Sequence, residues 1–144
     1  MIRTMSRSEA EHFWFEPHHA LISIREMGYD TPKLHGNPGE VLFLEFDDTE
    51  PQSMMRDVDV LYTEEQAAKV ARFVRRNSER ELLIHCLAGI SRSVGMASAI
   101  EAWRGGDWET VERGKCPNSY VRKLTREALE SRPASKAEGE AERG

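Results

Sequence analysis

The sequence predicts an α/β fold with a small, mainly parallel central sheet of about four to five strands and helices on both faces. Two observations carry this. Val41 to Phe46 and Glu81 to Ile84 are short, nearly continuous apolar runs, as strands covered on both faces are. Between them, Thr63 to Asn77 has helical periodicity, so residues 41–86 read as strand, helix, strand, a parallel crossover with the first strand beside the last. The 144 residues suit a single domain, drawn as 1–131, followed by a polar, charged tail from 132 to 144 that is expected to be disordered.

In chain order, Ser6 to His12 is expected to be a short helix, with Ser6 as N-cap and Glu9 completing a capping box. Phe13, Trp14 and Phe15 follow as an aromatic cluster expected to pack on the sheet. Ala20 to Ile24 reads as the first clear strand. His18 and His19 precede it and are expected to be surface or packing residues, since no further metal ligand has suitable spacing. Gly28 to Gly39 is loop, rich in glycine and proline. After the strand at 41–46, residues 49–62 form a long connection, a length usual for functional segments.

Thr63 to Gln66 fits a second capping box, and Ala67, Val70, Ala71 and Val74 form the apolar face of the helix that follows. Ser91 to Arg104 reads as helix, with Met96, Ala97, Ile100 and Trp103 on one face. Gly105 and Gly106 stop it. A helical turn or two is expected at 108–113, and a last helix at Ser119 to Glu130 turns Val121, Leu124 and Ala128 inward.

The bulk numbers exclude some functions. With a net charge of −5 and no basic run, the chain is a poor nucleic-acid binder. Two cysteines, Cys86 and Cys116, are too few for a disulfide scaffold. No apolar run approaches the roughly 20 residues of a membrane helix, and residues 1–16 lack a signal-peptide core. The expectation is a cytoplasmic protein, probing no membrane and no nucleic acid, and a monomer.

The chemistry concentrates at residues 85–93. Cys86 stands where a strand ends, and Arg92 where a helix begins. The first turn of a helix carries unpartnered N–H groups and the positive end of the helix dipole, which together favour an anion. A loop curled over that end can form a nest of N–H donors, an environment that favours a thiolate. Arg92 adds a planar fork able to hold two phosphoryl oxygens. Gly89 permits backbone angles that a side chain forbids.

His85, Cys86, Gly89, Ser91, Arg92 and Ser93 together match HCxxGxSRS. This pattern resembles the signature of cysteine-dependent protein-tyrosine and dual-specificity phosphatases. The segment from Arg113 to Asn118 resembles the Arg…Pro-Asn stretch that follows the signature helix in that family. The resemblance implies hydrolysis of a phosphomonoester through a phosphocysteine on Cys86, without metal or other cofactor. Arg92 and the N–H groups of Leu87, Ala88, Gly89, Ile90, Ser91 and Arg92 would bind the phosphoryl oxygens. Ser93 would bond the sulfur, and His85 and Asn118 would support the loop. The substrate would be a phosphorylated protein or a small phosphomonoester.

A proton donor for the leaving group is sought among Asp47, Asp48, Asp57 and Asp59. All follow the strand at 41–46 at its carboxyl end, where open parallel sheets bind ligands, so topology leaves the four open. The resemblance favours Asp48, which precedes Thr49, with Asp47 next. Two alternatives remain. One is a phosphatase-like module that holds phosphate without turnover. The other is a thiolate enzyme of the rhodanese or arsenate-reductase kind.

Overall fold

A computed structural model describes residues 2–49 and 60–131. Asp57, Asp59 and the tail at 132–144 lie outside the described residues. Chain order is β1 (Arg3–Met5), α1 (Arg7–Glu11), β2 (Trp14–Phe15), β3 (His19–Arg25), β4 (His35–Gly36), β5 (Glu40–Glu45), α2 (Glu64–Arg76), β6 (Glu81–His85), α3 (Arg92–Trp103), α4 (Trp108–Glu112) and α5 (Ser119–Glu130). The main sheet has four strands in the order β1-β6-β3-β5, every pair parallel. A second, two-stranded sheet joins β2 to β4.

Side-chain alternation along the strands separates two cores. Leu21 and Leu83 face Met5, Ala10 and Phe15, so α1 lies on that side. Ile22, Ile24, Leu82, Ile84 and Cys86 face the larger core with residues of α2, α3 and α5. Helices therefore cover both faces, unequally. Cys86 keeps the parity of Ile84, which puts its sulfur on the α3 side. Among the described residues no helix is long and apolar enough to cross a membrane.

Both capping boxes form. Ser6 accepts the N–H of Glu9 and Thr63 that of Gln66, while the Glu9 and Gln66 side chains bond back to the cap N–H groups. Several sequence expectations are corrected. β5 does not lie beside β6, because β3 runs between them and pairs with both. A crossover helix fixes parallel direction but not how many strands it spans. The first strand is Arg3–Met5, three residues with one buried side chain, too short to show alternation. Within 28–39, His35 and Gly36 pair as β4. Phe15 is buried as expected, but Trp14 on the opposite side of β2 is 66% exposed.

α3 is not amphipathic. Arg92 through Glu101 are all buried, whereas Trp103 is exposed, with the Arg75 guanidinium over its ring. The helix is enclosed by the sheet on one side and by α4 and α5 on others, and its small residues permit that approach. At Gly95 the approach is closest: a Cβ there would lie 2.5 Å from the carbonyl oxygen of Asn118. Gly→Ala in a helix ordinarily stabilises by about 1 kcal/mol. Here the sign should reverse, because two backbones meet. Gly95→Ala is expected to cost about 1–3 kcal/mol, the range for overpacking, seen as a lower denaturant midpoint. A midpoint at or above wild type would mean that α5 yields.

Candidate active site

The segment after β6 wraps around the sulfur of Cys86. That side chain is 1% exposed, and its Sγ accepts the N–H of Gly89 at 3.2 Å, with Ser93 Oγ also at 3.2 Å. Gly89 has φ +76°, and a Cβ there would lie 2.6 Å from the backbone of Met5 and Ser6, so the turn and the contact both require glycine. The corner between β1 and α1 carries the loop from beneath. Met5 O accepts the Cys86 N–H at 3.3 Å, and Leu87 O accepts the Arg7 N–H at 3.1 Å. Leu87, Ala88 and Ile90 are exposed, while Gly89 and Ser93 are buried.

His85 points to the other face of the sheet. Its Nδ1 lies 3.3 Å from Cys86 O, and its Nε2 lies 2.6 Å from Ser23 Oγ. A carbonyl only accepts, so Nδ1 carries the proton and Nε2 accepts the Ser23 hydroxyl. Burial lowers the His85 pKa and keeps the ring neutral, although the bond to Cys86 O opposes the shift. His85 thus ties the strand end to Ser23 of β3 and does not reach the sulfur's side.

Arg92 is 2% exposed. One terminal nitrogen donates to Phe46 O at 2.8 Å, and the other is paired with Glu26. Its Nε is buried and has no partner among the described residues. Glu26 in turn neighbours Asp47. Burial pushes the Glu26 carboxyl above its ordinary range; the Arg92 charge opposes this and Asp47 adds to it. Asp47 moves the other way. Burial would raise it, but the N–H groups of Val60 at 2.8 Å and Met27 at 3.4 Å, with Glu26 and Arg92, hold it below. The two carboxyls are thus shifted apart, Glu26 upward and Asp47 downward.

Ser91 is the N-cap residue of α3, yet its side chain makes no cap bond. Its hydroxyl instead donates to Asp48 Oδ1 at 2.8 Å. Asn118 Nδ2 donates to the same oxygen at 2.9 Å. Asn118 also caps α5, its Oδ1 accepting the N–H groups of Tyr120 and Val121, and its own N–H donates to Ser91 O. Asp48 is exposed and Asn118 buried.

The contacts form three groups, Cys86 with Gly89 and Ser93, Asp48 with Ser91 and Asn118, and Arg92 with Glu26 and Phe46 O, carried together by the segment 86–93, and His85 is attached from behind. Asp47 is taken up by backbone N–H groups at the edge of the site. Glu26 and Ser23 were not singled out from the sequence. Glu26 stands just past the carboxyl end of its strand, so the rule that gathers the carboxylates after Phe46 gathers it as well. Ser23 offers no such signal, because only the register of β3 against β6 brings it opposite His85.

At the far end of the sheet, His18, His19 and Glu81 place three possible ligand atoms within 4.8 Å of one another. His19 Nδ1 accepts the N–H of Glu16 at 2.9 Å. Its ring proton is therefore on Nε2, the nitrogen 3.5 Å from Glu81, where an ion would need a lone pair. The trio fits an Nε2–H facing a carboxylate better than a cation.

Neither a protein-family model nor a curated protein matches the chain. Among solved structures, the crystal structure of Tk-PTP in the active form is similar over 92% of this chain and 91% of that one, with 18% identity and a TM-score of 0.48.

The neutral, buried His85 has a consequence for stability. Its folded pKa lies below the 6.5 of the unfolded chain, so the unfolded state takes up a proton first as pH falls. Stability from this group is full above about pH 6.5 and is lost as pH falls through the folded pKa. Unfolding free energy measured from about pH 7.5 to about pH 5 should therefore fall more steeply in wild type than in His85→Asn. Parallel curves would assign the dependence to other groups.

Proposed function

We propose that the chain is a phosphomonoester hydrolase of the cysteine-dependent protein-tyrosine and dual-specificity phosphatase type. The observation that carries this reading is Arg92: a guanidinium 2% exposed, beside the sulfur-bearing loop, with one buried N–H unpartnered. An unsatisfied buried donor costs about 1–3 kcal/mol, more when charged. A phosphoryl oxygen in the loop would satisfy it. The uncapped first turn of α3 offers further N–H groups to the same anion.

In the first step the Cys86 thiolate attacks phosphorus, an S–P bond forms and the P–O bond to the leaving group breaks. Asp48 delivers a proton to the departing oxygen. In the second step Asp48 takes a proton from water as its oxygen attacks phosphorus. The S–P bond breaks, and the sulfur leaves with the Ser93 hydroxyl beside it. Splitting one displacement into two is what covalent catalysis provides. Arg92 and the loop N–H groups, fixed before reaction, face the oxygens that carry charge in both transition states.

Asp48 is preferred to Asp47 as the acid because Asp47 is committed to the N–H groups of Val60 and Met27, while Asp48 is exposed and bonded to the loop itself through Ser91. Leu87 and Ile90 stand about half exposed, at 45% and 46%, on the rim, and Met27 and Tyr29 are exposed just after Glu26. An apolar rim suits a phosphorylated protein side chain better than a strongly polar phosphosugar.

Cys86→Ser should abolish turnover of an aryl phosphate while vanadate still binds; residual activity near wild type would refute the nucleophile. Arg92→Lys keeps the charge but loses the fork, so both kcat and vanadate affinity should fall by at least about tenfold. Asp48→Asn should cost about 10²–10⁴-fold on an alkyl phosphate and far less on an activated nitrophenyl phosphate, whose leaving group needs no proton. If Asp47→Asn shows that dependence instead, the acid is Asp47.

A further inference from the structure

Asp48 has two carboxyl oxygens in unequal surroundings. Oδ1 accepts two hydrogen bonds, from Ser91 Oγ at 2.8 Å and from Asn118 Nδ2 at 2.9 Å. Oδ2 has no partner among the described residues. The direction of the Asn118 amide is settled by the helix it caps. Its Oδ1 accepts two N–H groups of α5, at 3.1 and 3.0 Å, so the NH2 end must face Asp48. A carboxyl oxygen with both lone pairs occupied by donors has no room for a proton of its own.

We propose that Ser91 and Asn118 form a two-donor clamp on Oδ1 of Asp48 that confines the transferable proton to Oδ2. The inference rests on Asp48 being the general acid. Asn118 and Ser91 are then positioning residues for proton transfer, in addition to any part they have in the loop. The clamp links three elements. Asn118 is the N-cap of α5, Ser91 is the N-cap of α3, and Asp48 follows β5. Asn118 N–H also donates to Ser91 O at 3.0 Å, so the two donors are held to each other as well as to the acid.

The rigidity of the clamp matters because Asp48 is an exposed side chain at the mouth of the site. Unclamped, its carboxyl group would rotate and carry the proton on either oxygen. Catalysis by a positioned acid depends on that geometry. In the second step the same fixed Oδ2 would receive the proton from water.

The test uses the ratio of kcat on nitrophenyl phosphate to kcat on an alkyl phosphate. Asn118→Ser keeps a good N-cap for α5 but removes the donor to Asp48. The ratio should rise about tenfold, a fraction of the about 10²–10⁴-fold given by a general acid. Ser91→Ala should raise it in the same direction. In an Asp48→Asn background neither substitution should raise it further, a result that mere loosening of the fold would not produce. Asn118→Gly, which also caps, serves if the serine variant fails to fold. If Asp48→Asn raises the ratio but Asn118→Ser and Ser91→Ala do not, the clamp is overturned and the acid assignment stands. If Asp48→Asn leaves the ratio unchanged, the acid assignment fails and the clamp with it.

Discussion

A guanidinium group cannot be buried without partners that neutralise and orient it. Arg92 meets that requirement by drawing together parts far apart in sequence. Its charge is met by Glu26 beyond β3, and a second nitrogen is met by Phe46 O beyond β5, while its own backbone begins α3. The carboxyl ends of two strands and the start of a helix are thereby fixed to one side chain. Only Nε is left over. Glu26 is itself held against Asp47, which in turn binds Val60 and Met27, so the restraint spreads around the rim of the sheet.

The loop around Cys86 is held from three sides. Gly89 lies against the backbone of Met5 and Ser6, and the N–H of Cys116 donates to Ile90 O at 3.1 Å. The Asn118 N–H secures Ser91. From behind, the neutral His85 joins Ser23 to the carbonyl of Cys86. The loop is therefore fixed on several sides, with the Gly89 N–H and the Ser93 hydroxyl already at the sulfur. Gly95 contributes indirectly: by letting α5 approach α3, it brings Asn118 within reach of Asp48.

Much of this was legible in the linear chain. The capping residues Ser6 and Thr63 with Glu9 and Gln66, the strand end at Cys86, the glycine at 89 and the bounds of α5 all follow from contacts between residues a few positions apart. Such local preferences act wherever the segment lies. The spacing of Cys86, Gly89 and Ser93 also determined which residues meet the sulfur, because a loop this short keeps them near it.

Tertiary structure alone decided the rest. The apolar runs suggest that β5 and β6 are parallel and both covered, but they are silent on β3 running between them, which leaves β5 at the sheet edge with Phe43 46% exposed. Topology left four aspartates open in the sequence and only the resemblance favoured Asp48, whereas the structure distinguishes two of them by which donors reach them: backbone N–H groups for Asp47, Ser91 and Asn118 for Asp48. The pairing of Glu26 with Arg92, 66 residues apart, and of Asn118 with Asp48, 70 apart, leaves no local signature. Hydrogen bonds between distant residues depend on where whole elements pack, and that is set by the summed burial of the two cores, which no short stretch of sequence contains.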